Sequence, residues 1–285
     1  MSEEAPKMRL PKNYARRIWR AIMEFNMLSA GDRVLVGLSG GKDSSLLLYA
    51  LAHLRKQTGY PFEVAAATID PGFAPLSFET ELRTLCDSLE VPFFYERHEE
   101  LAEVIFDPLS DQSPCARCAF FRRGMLNRIA SAQGYNKLAL GHHLDDAVET
   151  FLMNILYSGR MMTLMPVTPQ DRSQTTVIRP LCLLREKEIT GSRSFFPWQP
   201  LSSCCPQEDI TQRAQVKALI RNLGADSPQL FDRLVHAMRR APSEIELWPP
   251  QATAAEMRQH YLDMIQVLPS HASRGGDGNE PSSGP

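Results

Sequence analysis

The residues that could do chemistry begin with a short polar loop between two apolar runs, VLVGL and SLLLYALAHL. The loop has the sequence SGGKDS and consists of Ser39, Gly40, Gly41, Lys42, Asp43 and Ser44. A strand that runs into a glycine pair and then opens a helix presents backbone N–H groups and a helix N-terminus to one point, which favours a bound phosphate. Glycine also lets the backbone approach the anion closely. The loop therefore predicts a phosphate-binding site.

This loop differs from the two common phosphate-binding motifs. A Walker A loop needs a glycine five residues before its Gly-Lys pair and Ser or Thr directly after it, whereas this sequence has Val36 and Asp43 at those positions. The GxGxxG pattern does not fit either. A plain strand-to-helix turn with Asp43 or Ser44 as the helix cap is the alternative, but the complete string after a strand favours a phosphate site.

A second group of polar residues lies in the segment LALGHHLDDAVETFLMN. An apolar run ends at Gly141 and His142, and Asp145 and Asp146 begin a helix. Carboxylates at a helix start can be simple caps, but capping does not explain the two adjacent histidines. Because ligands bind at the carboxyl ends of strands in open α/β sheets, we expect this segment and the glycine loop to face each other.

A pair of cysteines precedes an arginine-rich helix in SPCARCAFFRRGMLNRIA. The spacing of Cys115 and Cys118 is compatible with half of a zinc site, a redox pair or coincidence. Cys86 and Cys182 lie in apolar surroundings and are predicted to be buried packing residues. The remaining two cysteines are adjacent in the polar segment SSCCPQ, where packing is the weaker explanation.

The pattern of the chain indicates the scaffold that must position these residues. From Gly31 to Gly159, short continuous apolar runs alternate with longer amphipathic ones. Such alternation is typical of a parallel sheet covered by helices on both faces. We therefore predict an α/β fold with a doubly wound parallel sheet, an N-terminal helix and a small C-terminal helical region. The last helical region by pattern is TQRAQVKALIRNLGADSPQLFDRLVHAMRR, and the Gly-, Ser- and Pro-rich residues at the end of the chain are expected to be disordered.

The predicted domain boundaries follow these changes in pattern. They are a basic helical segment at 1–29, a nucleotide-binding domain at 30–200, a cysteine-bearing loop with C-terminal helices at 201–268 and a disordered tail at 269–285.

Composition excludes several classes of protein. The 285 residues are 43% hydrophobic and 22% charged, which is ordinary for a globular chain, and the net charge of -2 gives no general sign of a nucleic-acid partner. No run approaches the ~18 apolar residues of a membrane span, and the first residues lack the apolar core of a secretory signal. Six irregularly spaced cysteines do not indicate a disulfide scaffold. We therefore expect a cytoplasmic protein without membrane contact.

Several segments together resemble a known family. The glycine loop is similar to the SGGxDS signature of the PP-loop ATP pyrophosphatases, and the GHHLDD segment is similar to a motif that borders the nucleotide in those proteins. Between about Asn13 and Arg213, five segments in the same order closely resemble the tRNA 2-thiocytidine synthetase family. They are EFNMLSAGDRVLVGLSGGKDS, CARCAFFRRGMLNRIA, LALGHHLDDAVETFLMN, IRPLCLLREKEI and CCPQEDITQR.

The resemblance implies an ATP-dependent enzyme with an adenine-nucleotide α-hydrolase (PP-loop) fold. ATP would adenylate the C2 oxygen of a cytidine in the tRNA anticodon loop, and sulfur would then replace that oxygen as AMP departs. Lys42 would neutralise the departing pyrophosphate, and Asp43 would help to place Mg²⁺ or orient Ser44. The implied catalytic residues are Lys42, Asp43, Asp145 and Asp146, and the implied nucleotide-binding residues are the glycine loop with Thr68, Leu140, Gly141 and His142.

The resemblance also implies a [4Fe-4S] cluster held by three cysteines. Two of them are Cys115 and Cys118, and the third comes from the later loop. Adjacent residues usually point their side chains in different directions, so only one of Cys204 and Cys205 is expected to be a ligand. Counting back from the segment TQR, the family pattern favours Cys205. A zinc site built from the first pair and both late cysteines is the competing interpretation.

The implied macromolecular substrate is tRNA, and the implied sulfur donor is a protein such as a cysteine desulfurase; a homodimer is also considered. Two alternatives stay open: a related enzyme that acts on another tRNA base or a small molecule, and a nucleotide-binding iron–sulfur sensor without turnover. They are kept because the segment TIDPGFAPLSFETEL is shorter than in the family and the late cysteines are adjacent. The arginines expected to contact RNA phosphates are Arg16, Arg17, Arg20, Arg117, Arg122, Arg123 and Arg128.

Overall fold

A computed structural model describes residues 10–57, 61–75, 77–170, 175–196, 198–201, 212–239 and 247–266. In these residues the strands are β1 (Arg33–Gly37), β2 (Glu63–Asp70), β3 (Phe93–Arg97), β4 (Lys137–Ala139), β5 (Val167–Pro169) and β6 (Thr176–Ile178). The α-helices are α1 (Lys12–Glu24), α2 (Lys42–Gln57), α3 (Ser77–Ser88), α4 (Glu100–Ile105), α5 (Pro114–Ala132), α6 (Leu144–Met153), α7 (Glu186–Gly191), α8 (Gln212–Asp226), α9 (Leu230–Met238) and α10 (Ala254–Gln266). A π-helical turn, Asn154–Ser158, continues α6, and a 3-10 turn, Ser192–Ser194, follows α7.

The strands form one sheet in the order β3-β2-β1-β4-β6-β5. Neighbouring strands are parallel except at one edge, where β5 pairs with β6 in the antiparallel direction. Because β2 lies on one side of β1 and β4 on the other, the winding reverses between β1 and β4, and such a switch point is where ligands bind in open α/β sheets. The predicted doubly wound α/β fold is confirmed.

The sheet is covered on both faces, as its continuous apolar strands require. Along β1, Val34 and Val36 pack into the larger core with α1 and α2, whereas Leu35 faces the smaller core formed with Leu126 of α5. Successive side chains of a strand point to opposite faces, so each helix layer takes alternate residues. Cys86 and Cys182 are buried, which confirms their predicted packing role.

Two regions beyond the predicted pattern are folded. Strands β5 and β6 lie after Gly159, where the apolar pattern weakens, and α10 lies beyond the segment predicted to be the last helix. Trp248 precedes α10 and is only 1% exposed; its ring packs edge-on against Phe25 at 5.3 Å, and its N–H donates to the Leu164 carbonyl at 2.9 Å. The expectation that order ends at the preceding helix was wrong, because one large aromatic residue anchors this part of the chain to the core. No helix among the described residues has both the length and the apolar character needed to cross a bilayer.

Candidate functional site

The glycine loop is a tight turn between β1 and α2. Gly40 has a φ of +77°, and a Cβ at this position would lie 3.2 Å from Phe78 and Leu201, so glycine is required for both backbone and space. The Ser39 backbone N–H donates to Ser44 Oγ at 3.1 Å, and that hydroxyl donates to the Gly41 carbonyl at 3.2 Å. These contacts hold the loop open at the N-terminus of α2, where a phosphate is favoured.

The GHHLDD segment lies directly against this loop. A Cβ at Gly141 would lie 2.9 Å from the Ser44 backbone nitrogen and 3.0 Å from the Asp43 carbonyl carbon. Only glycine allows the two backbones to approach this closely. The expectation that the two motifs face each other across the switch point is confirmed.

Lys42 is held between two carboxylates. Its Nζ lies 3.0 Å from Asp43 Oδ2 and 3.5 Å from Glu186 Oε1. Burial alone would lower the pKa of Lys42, but the two carboxylates more than offset this effect and raise it, so the side chain is cationic at neutral pH. Sequence reasoning missed Glu186, although it lies in the quoted segment REKEI at the start of α7.

The buried polar atoms near the loop that have no hydrogen-bond partner among the described residues include Asp43 Oδ1 and His142 Nδ1. Burial, together with the nearby Arg179, lowers the pKa of His142 to about 4, so its ring is neutral at pH 7. Unpaired buried polar atoms are costly, and their presence beside a phosphate-type loop is the signature of groups that bind a ligand.

His143 connects the second motif to the loop. Its Nδ1 accepts from the Asp146 backbone N–H at 3.4 Å, and its Nε2 lies 3.8 Å from Asp43 Oδ1. The same Nδ1 lies 3.4 Å from Asp146 Oδ2 and 3.9 Å from Asp145 Oδ2, so the ring stands between the carboxylates of the α6 start and that of Asp43. His143 is buried, so this orientation is set by the helix start and not by solvent.

The two predicted catalytic aspartates point to neighbouring helices. Asp145 accepts from Arg185 Nε at 3.1 Å and from the Glu186 backbone N–H at 2.7 Å. Asp146 accepts from the His143 backbone N–H at 2.9 Å and from Arg213 Nη1 at 2.8 Å. Each carboxylate thus fastens the start of α6 to α7 or α8. Their catalytic role stays a prediction, while their positioning role is visible in these contacts.

One cleft joins the glycine loop to the cysteine pair. It has a volume of about 470 Å³ and opens at the carboxyl ends of β1 and β2. Residues from four parts of the chain therefore meet in one space, although they are far apart in the sequence. The lining residues include Ser39, Gly41, Lys42 and Asp43 of the loop, Thr68 and Asp70 of β2, Cys118 and Arg122 of α5, and Arg193.

The cysteine pair lies in the first turn of α5. Pro114 begins the helix, and Ser113 caps it by accepting from the Ala116 backbone N–H at 3.3 Å. Residues three apart share a helix face. Cys115 is exposed and Cys118 is half-buried at the cleft.

The third predicted ligand, Cys205, and its neighbour Cys204 lie outside the described residues. Within the described part of the chain, no three His, Cys, Asp or Glu side chains are grouped as a metal site. The choice between the two late cysteines therefore stays a prediction.

The two strand ends predicted to border the nucleotide are placed differently. Thr68 lines the cleft, and its hydroxyl donates to the Leu38 carbonyl at 2.6 Å. Leu140 is buried in the core formed with α5, and its Cδ2 lies 3.0 Å from where a Cβ of Gly37 would be. The side chain of Leu140 therefore packs in the core, and its predicted nucleotide contact is left to its backbone.

The predicted RNA-binding arginines separate into different environments. Arg117 is buried and donates to the carbonyls of Val104 and Asp107, each at 2.9 Å, so it joins α5 to the segment before it. The prediction that it contacts RNA phosphate was wrong, because its guanidinium is enclosed by backbone acceptors. Arg122 lines the cleft, and Arg16 and Arg123 are exposed. The remaining three pair with carboxylates: Arg17 with Glu188, Arg20 with Glu24, and Arg128 with Glu96.

Comparison with known proteins agrees with this geometry. A PP-loop domain family matches residues 11–194. A tRNA-cytidine(32) 2-sulfurtransferase of Legionella pneumophila is 38% identical over 237 residues, covering 79% of this chain and 80% of that protein. One from Bordetella bronchiseptica is 35% identical over 276 residues, covering 94% and 81%.

Among solved structures, the fold is similar to the U34-tRNA thiolase NcsA from Methanococcus maripaludis, which was determined with its [4Fe-4S] cluster. The TM-score is 0.66 at 23% identity, with 79% of this chain and 76% of that chain covered. That likeness shows the fold, whereas the sequence matches extend over most of both proteins at 35% identity or more. The chain belongs to the PP-loop domain family and, within it, to the family of tRNA-cytidine(32) 2-sulfurtransferases.

Proposed function

We propose that this protein uses ATP to replace the C2 oxygen of a cytidine in tRNA by sulfur. The observation that carries the proposal is the single cleft lined by the glycine loop and by Cys118. A base in this cleft would have the ATP phosphates on one side and the sulfur-handling cysteines on the other. The curated relatives are named for this reaction at cytidine 32 of tRNA.

ATP is proposed to bind with its pyrophosphate portion on Ser39–Ser44. The close approach at Gly141 and the unpaired atoms Asp43 Oδ1 and His142 Nδ1 fit a bound nucleotide, because they leave buried polar groups for it to satisfy. A single carboxylate such as Asp43 also suits Mg²⁺, which usually keeps several waters and takes phosphate oxygens as ligands. Lys42 and Arg122 supply positive charge to the same space.

The reaction needs ATP because a pyrimidine carbonyl oxygen is a poor leaving group. The C2 oxygen attacks the α-phosphorus, the bond to the bridging oxygen breaks, and pyrophosphate leaves with the electron pair. Sulfur at the oxidation level of sulfide then adds to C2, and the C–O bond breaks as AMP leaves with the oxygen. Atoms and electrons balance without an external oxidant or reductant. Lys42 is proposed to stabilise the negative charge on the departing pyrophosphate.

The cysteines fit an iron–sulfur cluster. Cys115 and Cys118 share one face at the N-terminal end of α5, and Cys205 is proposed as the third ligand. When bound, a [4Fe-4S] cluster with three cysteine ligands supplies one iron that is free to hold a sulfur atom. The chain's own contribution is to place this group beside the glycine loop.

The GHHLDD segment is proposed to hold the nucleotide in place against the glycine loop. His142 is neutral at pH 7 and offers a buried ring nitrogen, while His143 Nε2 lies 3.8 Å from Asp43 Oδ1. Asp145 and Asp146 are proposed to serve catalysis by fixing these histidines. This assignment explains why both carboxylates face arginines and not the cleft.

Several features of the reaction's surroundings are also proposals. They are a sulfur donor such as a cysteine desulfurase, a homodimeric assembly and a cytoplasmic location. The division into domains at residues 29, 200 and 268 is proposed as well. The proposed RNA surface is the exposed arginine-bearing side of α5 next to the cleft, represented by Arg123.

The test is a reconstituted reaction with the full chain purified without oxygen. Unmodified tRNA transcript, ATP with Mg²⁺ and sodium sulfide are mixed with the protein, and AMP, pyrophosphate and nucleosides are measured, the last by mass spectrometry. We expect AMP and 2-thiocytidine in equal amounts, and neither with a transcript whose cytidine 32 is replaced by uridine. AMP formation that ignores tRNA would point to a small-molecule substrate. Bound ATP and iron without any turnover would point to a sensor.

A further inference from the structure

The basic residue at the start of α8 contacts one face of α6 at three points. Arg213 Nη1 donates to Asp146 Oδ1 at 2.8 Å and to Glu149 Oε2 at 3.2 Å, and Nη2 donates to Thr150 Oγ1 at 3.3 Å. The three acceptors are spaced three and four residues apart and therefore lie on one helix face. One guanidinium fork is thus matched to one short stretch of α6.

Without Arg213, the Asp146 and Glu149 carboxylates would lie in a mostly buried site without the guanidinium that compensates their charge. The Glu149 and Asp146 side chains are 6% and 19% exposed. Burial and the neighbouring Asp146 raise the pKa of Glu149 to about 7, although Arg213 and Lys217 oppose this rise. A cation is needed here because removing one partner of a buried ion cluster leaves uncompensated charge.

The contact extends from Arg213 to the glycine loop. One oxygen of Asp146 accepts from Arg213, and the other accepts from the His143 backbone N–H at 2.9 Å. His143 Nε2 in turn lies 3.8 Å from Asp43 Oδ1. Arg213 therefore fixes the plane of the carboxylate that fixes the histidine facing the loop.

A second connection runs beside the first. Lys217 lies one turn further along α8, and its Nζ contacts Glu186 Oε2 at 2.6 Å. The other oxygen of Glu186 lies 3.5 Å from Lys42 Nζ in the loop. Both connections leave the same face of α8 and end at adjacent loop residues, Lys42 and Asp43. Their parallel course distinguishes them from isolated surface ion pairs.

We propose that Arg213 is a positioning residue for ATP, acting through Asp146 and His143 on the glycine loop. The inference rests on the proposed function, since it assumes that this loop binds ATP. It adds a residue outside the cleft, on a helix that begins seven positions after Cys205. Arg213 thereby fixes the position of α8, the helix that follows the late cysteines, relative to the nucleotide site.

The experiment measures binding of a non-hydrolysable ATP analogue by calorimetry, with the full chain and Mg²⁺. We expect Arg213→Ala to weaken analogue binding about tenfold, while tRNA binding changes less than twofold. Arg213→Lys should restore part of the loss, because an ammonium group can still reach Asp146 but cannot make the other two contacts. The matched control is Arg233→Ala on α9, an exposed residue whose guanidinium donates to the exposed Gln229 side chain at 3.0 Å.

A second variant separates positioning from folding. In Arg213→Leu with Glu149→Leu, the more buried of the two carboxylates is removed together with the arginine, so Glu149 no longer repels Asp146. Analogue binding should stay about tenfold weaker, because Asp146 still lacks its partner. Wild-type affinity in either variant would overturn the inference. Failure of the wild-type protein to bind the analogue would instead refute ATP binding by the loop, which is the proposed function.

Discussion

Gly141 is the position at which a single methyl group should disturb the site most directly. In Gly141→Ala the new Cβ would lie 2.9 Å from the Ser44 backbone nitrogen and 3.0 Å from the Asp43 carbonyl carbon. Non-bonded heavy atoms prefer about 3.5–4.0 Å, so the two backbones must separate by roughly 0.5 Å. Neither neighbour can rotate away, because both contacts are to backbone.

The cost can be estimated from the behaviour of overpacked sites. Extra carbon atoms in close-packed regions cost about 1–3 kcal/mol. If the strain is relieved by moving the glycine loop, ATP affinity should fall by about 5- to 150-fold, since 1.4 kcal/mol is a factor of ten. If the loop does not move, the same amount should appear as a loss in the free energy of unfolding. The geometry therefore predicts the sum of the loss in ATP-binding free energy and the loss in the free energy of unfolding.

The assay combines calorimetry of ATP-analogue binding with urea unfolding. Gly124→Ala is the matched control, because Gly124 lies inside α5 and, apart from its chain neighbours and the nearby backbone of that helix, no heavy atom of the described residues lies within 4 Å of a Cβ at this position. This control should gain about 0.5–1 kcal/mol of stability and leave ATP binding unchanged. Gly141→Ala with wild-type affinity and wild-type stability would show that the two motifs are not in contact.

Three further predictions follow from the cysteines, a buried arginine and a histidine. Cys205→Ser should lose iron, whereas Cys204→Ser should retain it, as measured by visible absorption and iron analysis after anaerobic purification. The reverse result would make Cys204 the ligand, and a colourless protein that contains zinc would exclude the cluster. Arg117→Ala should lower the free energy of unfolding by roughly 2–3 kcal/mol, because it leaves two carbonyls without a charged donor. It should leave the salt dependence of tRNA binding unchanged, and a changed salt dependence would show that Arg117 contacts RNA phosphate. The pKa of His142 is lowered from 6.5 to about 4, so the unfolded chain takes up a proton at higher pH than the folded one. Stability should therefore fall as pH decreases from about 6.5 to about 4, and a variant His142→Asn that falls equally would contradict this origin.

Local motifs were predictable because each one needs particular residue types at fixed spacing. The SGGKDS loop requires glycine for its turn and close approach, and the start of α6 requires polar groups for its cap. The alternation of apolar runs predicted the sheet, since a parallel strand buried on both faces must be apolar throughout. These requirements involve residues close together in the chain, so they can be recognised from the sequence alone.

Contacts between segments that are distant in the sequence were harder to predict. Arg117 and Arg122 lie on the same helix, yet one is enclosed by backbone carbonyls and the other lines the cleft. Helical spacing separates the faces of a helix, but it does not reveal which face meets another segment. For the same reason Glu186 was not recognised as a partner of Lys42, although both lie in segments that had been singled out.

The sequence by itself determined the class of fold, the phosphate-type loop and the cysteine pair, because backbone conformation and local ligand spacing depend on neighbouring residues. Only the tertiary structure decided that the loop and Cys118 share one cleft, and that Asp145 and Asp146 turn towards Arg185, directly before α7, and Arg213 of α8. Those arrangements depend on the strand order, which brings the ends of β1 and β4 together, and on charge pairing across helices. Neither leaves a periodic signal in the chain, since the partners are separated by tens of residues and meet only after the sheet has formed.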